Sequence, residues 1–251
     1  KKTTYNAQKT EDLIMKIRFT GNYILKINGD TVRCNGSWRN VTSKIPYHFE
    51  AGKSYHIQLT FVQENDFADA SLGFSFGKEK DVDYADIVKK LKGIDVVIFC
   101  GGISSQLEGE EMPIELPGFK GGDRTDIQLP SSQRRCLQAL KDAGKKVILV
   151  NCSGSCIGLE PETKTCEAIL QAWYAGDKGG RAVADVLFGD YDPSGKLPVT
   201  FYKSIKQIPD YENYSMKGRT YRYMTEQPLF PFGYGLSYTS FNVGDAKLDK
   251  A

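Results

Sequence analysis

The hydrophobic periodicity of the chain changes once, near residues 77–81, and this change restricts the fold more than any other feature. Before it, apolar and polar residues alternate with a period of two; after it, continuous apolar runs alternate with amphipathic segments of helical period. The first pattern is typical of antiparallel strands with one buried face, and the second of a parallel sheet with helices. We therefore predict two domains, residues 1–77 and 78–251.

Alternating runs in the first domain predict four strands, at residues 13–19, 23–27, 55–61 and 71–76. Turn residues separate them at 20–22, 28–30 and 51–53, and the Asn28-Gly29 step is a strong hairpin signal. Four or five strands are too few for two full sheets. We expect a partial antiparallel β-sandwich whose apolar edges are either exposed or paired with a second copy of the chain, as a homo-oligomer.

The second domain has an α/β pattern. Residues 84–92, 130–143 and 179–188 predict helices, and residues 95–100, 146–151 and 168–174 predict strands. We expect a mostly parallel sheet with helices on both faces and with strand 95–100 at its centre. Beyond residue 190 the chain is rich in Pro, Gly and Tyr, which favours an irregular segment anchored by aromatic side chains such as Tyr221, Tyr223 and Tyr234.

Composition excludes several classes of function. A net charge of +2 over 251 residues gives no electrostatic reason to expect nucleic acid or an anionic membrane as a partner, and we interpret the basic pairs 134–135 and 145–146 as solvated surface. No apolar run approaches the roughly 20 residues that span a bilayer. The chain opens with Lys1 and not with Met, as expected of a processed or truncated product.

Neither a metal site nor a cofactor site is expected. The six cysteines lack Cys-x-x-Cys pairs, and the two histidines, His48 and His56, are far from them in sequence. We interpret most cysteines as buried thiols, with a Cys152–Cys156 or Cys156–Cys166 bridge as the alternative. The segment 152–156 is not a Gly-x-Ser-x-Gly motif, and no Gly-x-Gly-x-x-Gly loop is present, so neither a serine hydrolase nor a dinucleotide site is expected.

An acidic loop follows the predicted strand 95–100. It carries Glu108, Glu110 and Glu111 within four positions. Ligands of parallel sheets bind beyond the carboxyl ends of the strands, and neighbouring negative charge raises the pKa of a carboxyl group, so the loop could supply a general acid. The alternative interpretation is a solvated acidic loop without a catalytic role.

Several motifs stand in a fixed order along the chain: Leu107-Glu-Gly-Glu110, Gly122-Asp-Arg124 followed by Leu129-Pro130, the block 179–201 and the block 231–241. In this order, residues 95–241 resemble the C-terminal half of family 3 glycoside hydrolases of the β-glucosidase or β-xylosidase type. Residues 1–77 resemble the second half of the β-sandwich named after the anthrax protective antigen. Some family 3 enzymes carry that module inserted in their α/β domain.

The resemblance implies a retaining glycosidase that needs no cofactor and acts on an oligosaccharide or an aryl glycoside. The family's nucleophile is an aspartate on a preceding (β/α)8 barrel, which this chain does not contain, so the chain is expected to be inactive without that N-terminal domain. The family's acid/base glutamate corresponds best to Glu110. Glu108 remains an alternative, because residues 112–120 are inserted before the Gly-Asp-Arg turn. The full-length protein is expected to be periplasmic or secreted.

Three further residues are candidates for substrate binding: Asp123, Arg124 and Trp173. Asp123 and Arg124 are expected to form an ion pair that holds the loop, with sugar contact as the alternative. Trp173 and Tyr174 belong either to the core or to the wall of the site. A different class of function is a non-catalytic carbohydrate-binding module that uses exposed aromatic residues of the first domain, with Trp38 and Tyr47 as its candidates; a third is a purely structural domain.

Overall fold

The structure, a computed structural model, describes residues 1–63, 70–108, 114–121 and 123–249, without the side chains of residues 39, 106 and 115. The chain folds as two compact units, Lys1–Asp81 and Val82–Ala251. The division falls shortly after the predicted boundary between residues 77 and 78. We refer to these as unit 1 and unit 2.

Unit 1 is an antiparallel sheet of five strands. The strands are β1 (Lys2–Asn6), β2 (Glu11–Ile27), β3 (Asp30–Phe49), β4 (Ser54–Val62) and β5 (Ser71–Gly77). β2 is central, because β3 pairs with it on one side while β4 and β5 pair with successive parts of its other side. A second sheet that would complete a sandwich is not among the described strands.

Residues 20–22 do not form the predicted turn but lie inside β2. Phe19 pairs with Val41, and Gly21 pairs with Ser37. One residue of β2, Thr20, therefore lies opposite three residues of β3, 38–40. Such a bulge bends a strand without ending it. The sequence analysis also missed β3, whereas the predicted hairpin is confirmed: Asn28 and Gly29 have φ values of 52° and 96° and join β2 to β3.

The core of unit 1 follows the period-two pattern of β2. Met15, Ile17, Phe19, Tyr23 and Leu25 are at most 1% exposed. They pack with apolar residues of β3 and β4 in one cluster. Burial of each such side chain stabilises the fold by about 1.5–3 kcal/mol as an upper estimate.

Unit 2 contains a three-stranded parallel sheet in the order β11-β10-β6. Its elements are α1 (Tyr84–Lys90), β6 (Val96–Gly102), α2 (Ser105–Glu108), β7 (Glu115–Leu116), β8 (Phe119–Lys120), β9 (Asp123–Arg124), α3 (Ser131–Asp142), β10 (Lys146–Cys152), α4 (Glu162–Thr165), β11 (Ala168–Gln171), α5 (Gly179–Phe188), a 3₁₀ turn (Ile205–Gln207) and α6 (Thr220–Tyr223). The predicted parallel strands and the three predicted helices are confirmed. The molecule is therefore of mixed α/β class, and β7, β8 and β9 form a small antiparallel sheet.

The prediction that strand 95–100 is central is wrong for the described sheet. β10 lies between β11 and β6, and its Val147 and Leu149 are fully buried. Val97 and Phe99 of β6 belong to the same apolar cluster as Val88 of α1 and as Leu137 and Leu140 of α3. On the opposite face of β6, Val96 and Ile98 are 49% and 42% exposed. The prediction of helices on both faces of the sheet is therefore wrong for this face of β6, which no described helix covers.

A buried ion pair joins α3 to α4. Arg134 Nε donates to Glu162 Oε1 at 2.8 Å and Arg134 Nη2 donates to Glu162 Oε2 at 3.1 Å, and Glu162 is 1% exposed. Arg134 also donates to the Gly158 carbonyl oxygen at 3.0 Å. The prediction that Arg134 is a solvated surface residue is wrong, because its planar guanidinium satisfies a carboxylate bidentately inside the unit.

All six cysteines are free thiols; Cys34 and Cys100 are exposed and the other four are half-buried. The described part of the chain contains no group of His, Cys, Asp and Glu side chains that could hold a metal ion. None of the helices within the described ranges has the length and apolar character that crossing a bilayer requires.

The strand order predicts a contrast between two isomeric side chains. Leu149→Ala at the centre of the sheet should lower the free energy of unfolding by about 2–5 kcal/mol. Ile98→Ala, on the exposed face of β6, should lower it by about 1 kcal/mol or less. Denaturant unfolding in a Trp38→Phe background tests this, because Trp173 is then the only tryptophan and reports on unit 2. Equal losses in the two variants would contradict the central position of β10.

Candidate functional site

The acidic loop leaves the sheet from a fixed point at the end of β6. Gly102 has φ of +123°, and a Cβ atom at this position would lie 1.9 Å from the carbonyl oxygen of Cys152, so only glycine fits. Gln133 of α3 bonds both the N–H and the C=O of Gly102, at 2.8 and 2.7 Å. The N–H of Ile103 then donates to the Cys152 carbonyl oxygen at 2.9 Å. The start of the loop is therefore held by both β10 and α3.

Glu108 is the residue at which three loops meet. Its Oε2 accepts a hydrogen bond from the Tyr174 hydroxyl at 2.9 Å, and its Oε1 accepts one from Ser155 Oγ at 3.2 Å. Glu108, Ser155 and Tyr174 follow β6, β10 and β11, respectively. Because parallel strands end at the same edge of a sheet, residues far apart in sequence converge there, as the sequence predicted for a ligand site.

Tyr174 packs over a glycine of the neighbouring loop. A Cβ atom on Gly154 would come within 2.7 Å of the Tyr174 ring, so a side chain there would displace the ring. Tyr174 is 44% exposed; its partial burial, and then the hydrogen bond to the Glu108 carboxylate, raise the pKa of Tyr174 to about 12. Tyr174 thus remains a neutral donor to Glu108 at physiological pH.

Arg124 supports the same loop from β9. Its Nη1 donates to Ser155 Oγ at 3.1 Å and to the Cys156 carbonyl oxygen at 2.9 Å. Its Nε and Nη2 are buried without a hydrogen-bond partner among the described residues. Burial lowers the pKa of Arg124, and the charge of Glu108 opposes that effect. Arg124 and Glu108 are therefore linked both through Ser155 and electrostatically.

The predicted ion pair between Asp123 and Arg124 is wrong. No salt bridge joins them in the described part of the chain; Asp123 is exposed, and the bonds of Arg124 go to residues 155 and 156. The physical reason is that β9 places successive side chains on opposite faces. A contact of either residue with sugar stays a prediction.

Glu110, the predicted acid/base, and its neighbour Glu111 lie outside the described residues. Trp173 is described: it is half-buried, and its ring meets Phe201 edge to face at a centroid distance of 6.0 Å. Its φ of 57° is a conformation that a bulky side chain rarely adopts. Trp173 thus belongs partly to the core, and its role in binding stays a prediction.

A buried polar network beneath these loops was missed by the sequence analysis. Asn151 Nδ2 donates to Gln171 Oε1 at 2.6 Å and to Ser153 Oγ at 3.1 Å, and Ser153 Oγ donates to the Ser155 carbonyl oxygen at 2.9 Å. Asn151 and Ser153 are fully buried. The sequence does contain a signal for this network. Asn151 is a polar residue at the end of the predicted strand 146–151, which is the edge of the sheet where ligands bind.

The chain matches one known protein family over most of its length. The chain belongs to glycosyl hydrolase family 3, because the model described as "Glycosyl hydrolase family 3 C-terminal domain" matches residues 7–238. The resemblance to family 3 glycoside hydrolases that was inferred from the sequence is confirmed. The matched range includes most of unit 1 as well as unit 2.

Two curated relatives are similar over much of the chain. The chain is 53% identical over 249 residues to a xylan 1,4-beta-xylosidase of Xylanibacter ruminicola, across 99% of the chain and 29% of that protein. It is 43% identical over 175 residues to a periplasmic beta-glucosidase of Salmonella typhimurium, across 65% of the chain and 22% of that protein. The chain thus spans less than a third of the length of either relative.

Two solved structures share the fold. A beta-glucosidase from Kluyveromyces marxianus, in complex with glucose, has a TM-score of 0.64 at 22% identity and covers 96% of this chain and 31% of its own. At that identity the likeness concerns the fold alone. The beta-glucosidase EmGH1 from Erythrobacter marinus is 38% identical with a TM-score of 0.52, over 63% of this chain and 21% of its own.

The hydrogen bond between Tyr174 and Glu108 predicts a titration result. Glu108→Gln removes the negative charge and should lower the pKa of Tyr174 from about 12 part of the way toward 10.0, since burial remains. Because the pKa of Tyr174 is raised in the folded state, the stability linked to its neutral form is fully present below pH 10 and is lost as pH rises through about 12. NMR titration of ring-labelled tyrosine, assigned with Tyr174→Phe, measures the midpoint.

The control for this titration is Glu226→Gln, which removes an equal charge from a residue bonded to Gln207 instead. It should leave the Tyr174 midpoint unchanged. A midpoint that is also unchanged in Glu108→Gln would show that Glu108 does not hold Tyr174 in solution.

Proposed function

We propose that the chain is the C-terminal portion of a retaining β-glycosidase that hydrolyses β-glucosides or β-xylosides and that it supplies the acid/base glutamate. The observation that carries this proposal is the convergence of three loops on Glu108 at the carboxyl edge of the sheet. Membership of glycosyl hydrolase family 3 and the printed names of the relatives, a xylosidase and glucosidases, support it. The substrate is an oligosaccharide or an aryl glycoside.

Glu110 is the proton donor in this proposal, and Glu108 anchors its loop. Both carboxylate oxygens of Glu108 already accept hydrogen bonds from residues of unit 2, whereas a general acid must place an oxygen against the glycosidic bond. Glu110 follows two residues later in the same acidic loop. Glu108 itself is the rival assignment.

The nucleophile belongs to a part of the enzyme outside this chain. Retaining hydrolysis uses two carboxyl groups about 5–5.5 Å apart, one attacking the anomeric carbon and one protonating the leaving oxygen. In the proposed enzyme the attacking aspartate lies on an N-terminal barrel domain. The relatives are long enough to contain such a domain, because this chain spans 29% and 22% of them.

The proposal includes three further features of the complete enzyme. Unit 1 is a partial sandwich of the protective-antigen type, inserted in an α/β domain whose sheet is longer than the three described strands and carries helices on both faces. Carboxyl chemistry needs no cofactor. The enzyme is periplasmic or secreted, which the name of the Salmonella relative supports.

A non-catalytic carbohydrate-binding module is the second candidate function. The observation in its favour is Trp38, which is 60% exposed in the bulge of β3. Two positions further along the chain, Asn40 accepts a hydrogen bond from Arg18 Nε at 2.7 Å and donates one to Ser71 Oγ at 2.8 Å. Polar groups therefore lie close in sequence to the aromatic ring. Sugar binding by the chain that is lost in Trp38→Ala, with no acid role for Glu110 or Glu108, would favour this candidate.

The chain alone should not turn over glycosides. One carboxyl group of the pair is absent, and without the nucleophile no covalent glycosyl intermediate forms. Release of 4-nitrophenol from nitrophenyl β-xyloside and β-glucoside measures this, with the complete enzyme as the positive control. Steady turnover that persists after repurification of the chain would overturn the division of the catalytic pair.

In the complete enzyme, Glu110→Gln should slow cleavage of glycosides with basic leaving groups by about 10²–10⁴-fold, while activated aryl glycosides, which scarcely need protonation, lose far less. Glu110→Gln should leave the melting temperature nearly unchanged, because Glu110 stands in an acidic stretch of sequence without apolar periodicity. The matched control is Glu108→Gln. If only Glu108→Gln shows the leaving-group dependence, Glu108 is the acid; if neither does, the acid lies elsewhere.

A further inference from the structure

Unit 2 contains a cavity of about 340 Å³ beside the candidate site. Its walls come from residues 154–156 after β10, Trp173 after β11, residues 199–200, Tyr202 and Thr220. A cavity of this volume lies at the lower end of the range of small-molecule sites. We call it the Thr200 cavity.

The first observation that points to a ligand is the Thr200 hydroxyl. Thr200 is 6% exposed, and its Oγ1 has no hydrogen-bond partner among the described residues. A buried hydroxyl without a partner is costly, and most native structures avoid it. Because Thr200 lines the cavity, a ligand hydroxyl inside it can satisfy this group.

The second observation is the backbone conformation of two wall residues. Among the described residues, three that are not glycine have positive φ: Asn28 in the hairpin turn, Trp173 at 57° and Thr220 at 54°. Asparagine tolerates that conformation, whereas a β-branched or bulky residue is strained in it. Strained residues of this kind cluster at functional sites, and here both of them line one cavity.

The lining also defines the chemistry of the ligand. It combines aromatic and aliphatic residues, Trp173, Tyr202 and Val199, with hydroxyl groups, and none of its described residues is charged. A neutral ring that has apolar faces and several hydroxyl groups fits such a lining, and a pentose or hexose has this character. A charged sugar would lose hydration there, and none of the described wall residues carries an opposite charge to compensate for that loss.

The position of the cavity indicates which sugar it binds. Ser155 lines the cavity and donates a hydrogen bond to Glu108 Oε1, so the cavity adjoins the acidic loop. A general acid protonates the oxygen of the leaving group, and the leaving group is therefore the part of the substrate next to that loop. We propose that the Thr200 cavity binds the leaving-group sugar of the substrate and restricts it to neutral sugars, an inference that rests on the proposed function.

Fluorescence of Trp173 tests this proposal in the 251-residue chain. In a Trp38→Phe background the tryptophan signal comes from Trp173 alone, so it reports on the cavity and not on the candidate site at residue 38. Titration with methyl β-xyloside or methyl β-glucoside should give a saturable change in the millimolar range, and glucuronate should give none. Thr200→Val should weaken binding by about fivefold or more, since the ligand loses one hydrogen bond.

Thr239→Val is the matched control, because Thr239 is exposed in the same unit and does not line the cavity. It should leave binding unchanged. Thr200→Val should keep or raise the melting temperature, because it replaces a buried unpartnered hydroxyl with a methyl group, so a loss of binding is not a loss of folding. No saturable change with either neutral sugar, equal binding by Thr200→Val, or equal binding of glucuronate would each overturn the proposal.

The outcome is separable from the proposed function. The binding measurement involves no hydrolysis, and Glu110→Gln should not alter it. If the cavity binds neutral sugars while Glu110→Gln and Glu108→Gln lack leaving-group dependence in the complete enzyme, the catalytic assignment fails and the binding site stands. If the dependence is present and no sugar binds, the cavity proposal alone fails.

Discussion

The parallel pairing of β6 with β10 is the constraint on which the rest of unit 2 depends. The register pairs Val96 with Lys146 and continues to Gly102 opposite Cys152, so both strands end at the same level. The backbones approach so closely at that end that residue 102 must be glycine. The loops after β6, β10 and β11 then leave one edge of the sheet together, and their polar side chains meet at Glu108. A shift of this register would separate the residues of the candidate site.

Local patterns predicted the elements of unit 2 well, because helices and buried strands are encoded by short-range periodicity and by their capping residues. The order of the strands was not predictable in this way: the runs at 95–100 and 146–151 are similarly apolar, and only the packed sheet shows that the second is central. In unit 1, β3 was missed because its middle, around Asn35-Gly36-Ser37, is polar and resembles a loop. Its partner β2 provides the strand pairing that the local sequence does not indicate.

The candidate site shows the same limit at the level of single residues. The position of the acidic loop follows from a general rule about parallel sheets, and the sequence was sufficient for it. The partners of Arg124 are not local, since Ser155 and Cys156 lie more than thirty positions away. Asp123, the neighbour in sequence, has the opposite charge, but successive side chains of β9 lie on opposite faces of the strand. Sequence proximity therefore gave the wrong ion pair, whereas the fold provides a hydrogen-bonded link from Arg124 through Ser155 to Glu108.

That link bears on which glutamate donates the proton. Arg124 carries a guanidinium that remains charged when buried, and two of its nitrogen atoms have no partner in the described chain. The charge of Glu108 acts on Arg124 and opposes the lowering of its pKa by burial. A carboxylate near a buried cation favours the charged form of that cation, so neutralising the carboxylate is unfavourable. A residue that compensates such a charge is poorly suited to lose and regain its own charge in every turnover. In the proposed mechanism Glu108 holds the loop in place, and the proton donor that we propose is the next glutamate in the sequence, Glu110.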